Sequence, residues 1–373
     1  MIRIAKVEAF AYRVSIATPI KVAFGTFRDR PAVYVRVTDE DGIEGWGEAW
    51  CNWPSVGAEH RARLVADFGE RIVGQSLTDP ADAFRKLDAE LDVLVLQTGE
   101  VGPIAQALAG IDIAVWDLFA RKRGVPLYRL LRDETVDSVP VYATGINPDG
   151  PEQFALARRA DGHRAFKLKI GFGEGLDLRN VAALRETLGR DAELMVDANQ
   201  ALDLDGALRV AESLAPFGLR WLEEPLRVDR PTAEWQRLAG ASSTKLAGGE
   251  NLRGEDLLTA ATGDVLQVIQ PDITKWGGVT GNVPVATAAV QRGKSFCPHV
   301  FGGGVALLAS LHLLAAAGGD GTLEFDCHPN AARENVVGDL LPVRDGRVPV
   351  PTGPGLGAAP DLDALSRYRT WPA

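Results

Sequence analysis

The sequence has few of the residues that form covalent or metal cross-links. Its 373 residues include three cysteines, Cys51, Cys297 and Cys327, and no two of them form a CxxC pair. This number and spacing argue against a disulfide framework and against a thiolate zinc site. Because free cysteines are typical of a reducing compartment, we expect a cytoplasmic protein.

Excess positive charge and long apolar runs are also absent. There are 40 Lys and Arg against 50 Asp and Glu, a formal net charge of -10, so we expect no nucleic-acid partner. The N-terminus, MIRIAKVEAF, lacks the apolar core of a signal peptide. The most lipid-like run, 305–319, is short and contains Ser310 and His312. We interpret it as a buried helix and expect no membrane span.

Short apolar segments alternate with helical ones from about residue 139. The predicted strands are 139–145, 166–170, 193–199, 220–225, 245–250, 266–272, 295–299 and 322–326. Strands that alternate with single helices pair in parallel through right-handed crossovers. Eight strands and seven helices predict an α/β fold of the TIM-type, a (β/α)7β barrel. An open doubly wound sheet is the alternative.

The first 130 residues have a different pattern. Residues 30–50 predict a β-hairpin with a DG turn, and residues 103–131 predict a helix that stops near Gly124 and Pro126. The tail, 342–357, contains a second DG turn and many prolines, and we expect it to fold back onto the N-terminal segment. The predicted division is therefore an α+β segment at 1–130, the barrel at 131–330, and a returning C-terminal segment at 331–373.

Ionisable side chains lie at the carboxyl ends of the second to eighth predicted strands. They are Lys169, Asp197, Glu223, Glu250, Asp272, His299 and Glu324. Successive members are one βα unit apart, and the carboxyl ends of barrel strands converge on the face that carries active sites. We therefore predict that the seven residues form one site.

Three of these residues, Asp197, Glu223 and Glu250, are carboxylates on consecutive strands. Without a cation they would repel one another and raise one another's pKa. Hard oxygen ligands on rigid strands suit Mg²⁺, and the lack of His or Cys in this set makes zinc a poorer fit.

Lys169 and His299 flank this set and are candidates for acid/base groups. In RAFKLKI (164–170), Lys167 and Lys169 alternate with apolar residues and so face the same side of a strand. We expect Lys167 and the cation to lower the pKa of Lys169, which can act as a base only when neutral. Asp272 is placed to orient His299, and a protonated Glu324 could donate a hydrogen bond to an oxyanion.

The motifs together resemble the enolase superfamily, mandelate racemase subgroup, over essentially the whole chain. They are FKLKIG (166–171), VDAN (196–199), WLEEP (221–225), AGGEN (247–251), QPDITKWGGVTG (270–281), PHVFGGG (298–304) and LEFD (323–326). The N-terminal GWGEAW (45–50) and GIDIAVWDL (110–118) are similar to the capping domain of that subgroup.

The resemblance implies a barrel under an α+β capping domain that is built from the N-terminal segment and the C-terminal tail. It implies one Mg²⁺ per subunit, replaceable by Mn²⁺, on the three carboxylates. It further implies a small-molecule carboxylate substrate and a homo-oligomer, from dimer to octamer. The implied roles are Lys169 and the His299–Asp272 dyad as bases, Lys167 on the substrate carboxylate, and Glu324 on the enediolate.

The activity implied first is dehydration of a sugar acid, an aldonate or aldarate. Racemisation or epimerisation, and cycloisomerisation of a lactone or anhydro-sugar acid, share the same first step. More remote alternatives are a Schiff-base aldolase that uses Lys169 as nucleophile and a non-catalytic sugar-acid binding protein.

Substrate contacts are expected from two loops of the N-terminal segment, 18–30 and 49–60, and from a few further residues. The candidates are Asn199, Lys21, Trp50, Trp53, Trp276 and His328. The tryptophans could equally fill the interface between the two domains. The segment FGGGVA (301–306) could hold an anion at a helix N-terminus, although close packing is the favoured interpretation of its glycines.

Overall fold

The structure, a computed structural model, describes residues 1–372 of the chain. The N-terminal strands are β1 (Ile2–Val22), β2 (Gly25–Asp39), β3 (Glu44–Ala49) and β4 (Ser76–Leu77). They pair antiparallel, and three helices cover them: α1 (Gly57–Gly69), α2 (Asp82–Thr98) and α3 (Val101–Arg123). The predicted hairpin is β2–β3. The predicted helix ends at Arg123, where the sequence places its stop, because Gly124 takes a left-handed φ of 68° and Pro126 follows.

Helix α3 lies directly on strand β3. A Cβ at Gly45 would be 2.2 Å from the carbonyl oxygen of Ala114, and one at Gly47 would be 2.0 Å from that of Gly110. Only glycine permits this approach, which explains two glycines of GWGEAW. Within residues 1–372, α3 is the one helix long and apolar enough to span a bilayer, yet it is largely buried inside the protein.

Eight parallel strands and seven helices follow, as predicted. The strands are β5 (Ser138–Ile146), β6 (Ala165–Lys169), β7 (Glu193–Asp197), β8 (Leu222–Glu223), β9 (Leu246–Gly248), β10 (Val268–Ile269), β11 (Ser295–Phe296) and β12 (Leu323–Asp326). The helices are α4 (Pro151–Ala160), α5 (Glu174–Leu188), α6 (Leu204–Leu214), α7 (Thr232–Ala241), α8 (Gly254–Thr262), α9 (Gly278–Gln291) and α10 (Gly304–Ala317).

The strand order is β11-β10-β9-β8-β7-β6-β5-β12, so that β11 and β12 are the two ends of the sheet. The N–H of Thr322, next to β12, lies 3.4 Å from Sγ of Cys297, next to β11. The sheet therefore curls until its ends meet, and the predicted barrel under an α+β cap is confirmed. Residues 305–317, predicted as a buried helix, belong to the buried helix α10.

The alternation in RAFKLKI places the two lysines inside the barrel. Phe166 and Leu168 are fully buried in the large apolar cluster outside the strands. Lys167 and Lys169 are 0% and 8% exposed and face the interior. Beneath them lies a layer formed by Tyr142, Ala165, Met195, Trp221, Ala247, Val268 and Cys297.

The C-terminal segment contacts both domains. After α11 (Ala331–Val337), a turn at Asp345 leads into β13 (Arg347–Pro349), which pairs with the barrel strand β5 rather than with the N-terminal segment. Gly355 and Leu356 then return to the N-terminal segment, as predicted, and donate to Val125 at 2.9 Å and to Asp117 at 2.6 Å. Further on, β14 (Arg369–Trp371) joins the N-terminal sheet at the edge formed by β1.

Candidate active site

The residues predicted at the strand ends lie together at one end of the barrel. Strand register makes Lys169, Asp197 and Glu223 direct neighbours across β6, β7 and β8, and Glu250 follows β9. Lys169, Asp197, Glu223, Asp272, His299 and Glu324 are all buried. The fold therefore collects ionisable groups from seven strands into one enclosed site.

Each of the three predicted metal ligands is paired with a different cation. Asp197 contacts Lys169, Glu223 lies 2.9 Å from Nζ of Lys167, and Glu250 lies 3.0 Å from Nε2 of His299. Within residues 1–372, no three Asp, Glu, His or Cys side chains are arranged as a preformed metal site. In this arrangement the lysines and the histidine neutralise the carboxylates.

Crowding of carboxylates perturbs Glu223 and its neighbour Glu224. Burial, followed by the charge of Asp197, raises the pKa of Glu223 to about 7. Burial and Glu250 raise the pKa of Glu224 well above its usual value. This is the mutual repulsion expected from the sequence for Glu223. The expectation is wrong for Glu250, because His299 and Lys275 outweigh burial and hold the pKa of Glu250 well below its usual value.

The charge state of Lys169 differs from our expectation. Burial, and Lys167 more weakly, lower the pKa of Lys169, but the carboxylates, with Asp197 foremost, raise it above the usual value. The predicted lowering depends on a cation as well as on Lys167, and without a cation the direct contact of Asp197 with Nζ prevails. Lys167 likewise has a raised pKa, since it lies between Glu223 and Glu324.

His299 is held from both of its ring nitrogens. Nδ1 lies 2.9 Å from Oδ2 of Asp272 and Nε2 lies 3.0 Å from Oε2 of Glu250. Burial lowers the pKa of His299, but Glu250, Glu324 and Asp272 together raise it well above the usual value. The structure thus brings His299 and Asp272 together in the way the sequence predicted.

The surroundings of Glu324 favour its ionised form, whereas the role as a hydrogen-bond donor depends on a protonated Glu324. Burial raises its pKa, but Lys167 and His299 outweigh that effect and the pKa falls to about 2. Its Oε1 accepts a bond from Lys167 at 2.8 Å, and its Oε2 accepts one from the N–H of Val300 at 3.0 Å. In this arrangement Glu324 fixes its neighbours and has no proton to donate.

Comparison with known proteins identifies this arrangement. Residues 152–364 match the family described as enolase C-terminal domain-like. Residues 4–132 match the N-terminal domain of mandelate racemase and muconate lactonizing enzyme. The chain belongs to the enolase superfamily.

Named relatives in the superfamily act on sugar acids. D-galactarolactone cycloisomerase from Agrobacterium fabrum is 35% identical over 94% of this chain and 95% of its own length. A 3,6-anhydro-alpha-L-galactonate cycloisomerase from Streptomyces coelicolor is 32% identical over 98% and 99%. L-talarate/galactarate dehydratase from Salmonella typhimurium is 31% identical over 92% and 85%.

Solved structures of the superfamily share the whole fold. A mandelate racemase/muconate lactonizing enzyme from Bordetella bronchiseptica has a TM-score of 0.92 and 46% identity, covering 98% of this chain and 99% of its own. A racemase from Streptomyces coelicolor with bound magnesium has a TM-score of 0.87 and 29% identity, covering 98% and 100%. A variant of L-talarate/galactarate dehydratase with Mg and L-glucarate has a TM-score of 0.87 and 27% identity, covering 99% and 92%.

The residues of this superfamily member fit a magnesium ion. Asp197, Glu223 and Glu250 present only oxygen atoms, which Mg²⁺ prefers. Asn199 donates to Oδ2 of Asp197 at 3.1 Å, while its own Oδ1 is buried without a hydrogen-bond partner in residues 1–372. A buried oxygen without a donor, in a site where burial and Asp197 raise the pKa of Glu223, indicates a place for a cation.

The predicted tryptophans lie at the joint between the cap and the barrel. The N–H of Trp50 donates to Thr274 at 3.0 Å, and the indole of Trp276 donates to the carbonyl of Glu250 at 2.9 Å. The ring of Trp53 packs 4.8 Å from that of Phe27 within the cap. These contacts agree with the interpretation that the tryptophans fill the interface between the two domains. A role of the tryptophans in substrate binding stays a prediction.

Two other substrate candidates have protein partners. Lys21 is half exposed and pairs with Asp149. His328 places Nε2 2.6 Å from the carbonyl oxygen of Gly145, at the end of β5. Their role in substrate binding stays a prediction.

The sequence analysis did not predict a series of hydrogen-bonded side chains beside Glu250. Nζ of Lys275 donates to Asn251 at 2.6 Å, and Asn251 donates to Glu224 at 2.9 Å and to Glu250 at 3.2 Å. Lys275 also lies 4.8 Å from the ring centre of Trp50. The signal was present in WLEEP, AGGEN and ITKWGG, where these residues adjoin the assigned ones.

Proposed function

We propose that this protein is a Mg²⁺-dependent enzyme that removes the proton α to the carboxylate of a sugar acid and then eliminates the β-oxygen. The observation that carries the proposal is the contact of Lys169 with Asp197, and of the His299–Asp272 pair with Glu250, within one set of three carboxylates. Asp197, Glu223 and Glu250 would hold the metal, with Mn²⁺ as a possible substitute. Its positive charge would stabilise the charge that develops on the substrate carboxylate.

Lys169 receives the α-proton in this proposal. It must first be neutral, and in the present arrangement Asp197 keeps it protonated. When the charge of Asp197 is neutralised by a cation, this support for the ammonium is lost. The electron pair of the C–H bond then forms the Cα–Cβ double bond as the bond from Cβ to oxygen breaks.

His299 supplies the second proton. Nδ1 faces Asp272, so Nε2 is the atom that can donate to the leaving oxygen. A hydroxyl leaving group departs as water and gives an enol, which becomes the 2-keto-3-deoxy acid. Atoms and charge balance, because one proton passes to Lys169 and one leaves His299.

Cycloisomerisation is the second candidate. There the leaving oxygen belongs to the ring of a lactone or anhydro-sugar acid, so the ring opens and no water is released. The names of the relatives from Agrobacterium fabrum and Streptomyces coelicolor favour this version. The relative from Salmonella typhimurium supports dehydration, the reaction placed first from the sequence.

The test is an NMR screen in D₂O with Mg²⁺ against aldonates, aldarates, their lactones and anhydro-sugar acids. We expect elimination or α-deuteration of at least one compound. Lys169→Ala and His299→Asn should each reduce turnover by about 10²- to 10⁴-fold, the usual contribution of one acid/base group. Lys245→Ala, at an exposed barrel lysine, is the control and should retain turnover.

The screen also separates the remaining alternatives. A keto-deoxy acid from open-chain acids identifies dehydration, and ring opening without loss of water identifies cycloisomerisation. If no compound reacts, and borohydride instead traps a substrate adduct on Lys169, the enzyme is a Schiff-base aldolase and the proposal fails.

A further inference from the structure

The segment that follows His299 forms hydrogen bonds with both the barrel and the cap. We call residues 298–304 the His299 loop. On the barrel side, the N–H of His299 donates to the carbonyl oxygen of Pro271 at 3.0 Å, and the N–H of Val300 donates to Glu324 at 3.0 Å. These two bonds fix only the first part of the loop.

The cap fixes the second part of the His299 loop. Asn52 donates to the carbonyl oxygen of Phe301 at 3.0 Å, and the guanidinium of the buried Arg30 lies 3.8 Å from the centre of the Phe301 ring. Glu48, at the end of β3, accepts the N–H of Gly303 at 2.5 Å and that of Ala306 at 2.8 Å. The anion at the start of α10 is thus a carboxylate of the protein's own cap.

The glycines of FGGG are explained by the same contact. A Cβ at Gly302 would lie 2.8 Å from Oε1 of Glu48, and one at Gly303 would lie 2.8 Å from the hydroxyl of Tyr34. A side chain at either position would therefore push the cap away from the loop. Glu48 is 2% exposed, and a carboxylate is buried at such a cost only where strong donors meet it.

From these contacts we propose that Glu48 and Asn52 are positioning residues that set the place of the His299 imidazole from the cap. This inference deepens the proposed function and rests on it for the catalytic role of His299. Because only four residues separate His299 from Gly304, the first residue of α10, a shift of the far end of the loop moves the imidazole relative to Glu250 and Asp272. A misplacement of about 1 Å can lower a rate about 10²-fold.

Two variants test the proposal, and a third is the control. Glu48→Gln keeps the shape of the side chain but presents an amide in place of one of the two acceptor oxygens. Asn52→Ala removes the bond to Phe301. Glu44→Gln, four residues earlier on β3, removes a charge that pairs with Arg36 at 3.0 Å on the cap surface.

The first readout is the NMR signal of the His299 ring in protein labelled at histidine and saturated with Mg²⁺. The chain contains five histidines, so His299→Asn identifies the signal by its loss. We expect Glu48→Gln and Asn52→Ala to shift or broaden this signal and Glu44→Gln to leave it unchanged. If Glu48→Gln does not fold, Asn52→Ala decides the outcome.

The second readout is turnover of the substrate found in the screen. Glu48→Gln should lower kcat about 10- to 100-fold with KM changed by less than about threefold, because geometry at the reacting atoms is lost and binding is kept. An unchanged His299 signal in folded Glu48→Gln and Asn52→Ala overturns the positioning role. If no sugar acid reacts but the signal still shifts, the proposed function fails and the positioning role stands.

Discussion

Lys167 shows how much one buried side chain depends on its partners. Its Nζ lies 2.9 Å from Glu223 and 2.8 Å from Glu324, and the side chain is fully buried. Burying an ammonium is costly unless carboxylates compensate it, and the carboxylates in turn depend on the lysine. Lys167 therefore acts as a structural counter-ion, in addition to any contact with the substrate carboxylate.

We expect Lys167→Met to lower the free energy of unfolding by about 3–5 kcal/mol, because it leaves two buried carboxylates without their cation. The measurement is urea unfolding at pH 8 in the presence of a chelator. The control is Lys86→Met, which removes an exposed pair with Glu90 at i,i+4 and should cost less than about 0.5 kcal/mol. Equal losses in the two variants would contradict a structural role for Lys167.

At the scale of elements, the capping helix α3 holds the start of the barrel helix α9. Asp112 on α3 accepts the N–H of Thr280 at 2.9 Å and its hydroxyl at 2.6 Å. Gly278 must be glycine, since its Cβ would lie 2.3 Å from Oδ2 of Asp112. The carboxylate is fully buried, and burial raises the pKa of Asp112 to about 7 in spite of these bonds.

This pKa predicts a pH dependence of stability. Asp112 ionises near pH 4 in the unfolded chain and near 7 in the folded one, so the folded state binds more protons between these values. The contribution to stability is complete below pH 4 and is lost as the pH rises towards 7. For one group the slope is at most about 1.4 kcal/mol per pH unit.

Asp112→Asn should therefore flatten the fall of the unfolding free energy between pH 5 and pH 7. The measurement is urea unfolding at several pH values. Asp92→Asn, at an exposed aspartate on α2, is the matched control and should keep the slope of the original protein. A slope in Asp112→Asn that is as steep as in the control would show that Asp112 is not the titrating group.

At the scale of the whole molecule, a cation bound at the site would stabilise the folded barrel. Asp197, Glu223 and Glu250 follow three different strands, and none of them would be close to the others in the unfolded chain. A ligand that binds only the folded form stabilises it by mass action, by about 2.7 kcal/mol at 100 times its Kd.

We therefore expect Mg²⁺ to raise the unfolding midpoint relative to protein in EDTA. Glu223→Gln should lose most of this increment, whereas Asp256→Asn, at an exposed residue of α8, should keep it. Comparing each variant with and without Mg²⁺ removes its intrinsic change of stability. An undiminished increment in Glu223→Gln would place the cation elsewhere.

Much of the fold could be predicted from the sequence, because strand and helix periodicities are local. The eight parallel strands, the seven helices and the inward face of Lys167 and Lys169 were all predicted correctly. The path of the tail was predicted in part: Gly355 and Leu356 bond to the N-terminal segment as expected, whereas β13 pairs with the barrel strand β5. Proline content and a DG turn indicate a turn but do not specify which strand edge receives the next strand.

The sequence by itself determined which side chains meet, because one βα unit separates each strand end from the next and a barrel brings those ends together. Only the tertiary structure decided their charge states and partners. The raised pKa of Lys169 and the ionised Glu324 depend on burial and on distances of a few ångströms between strands. The contact of Glu48 with Gly303 joins residues 255 positions apart. Such a contact cannot be predicted from the local pattern of apolar and polar residues.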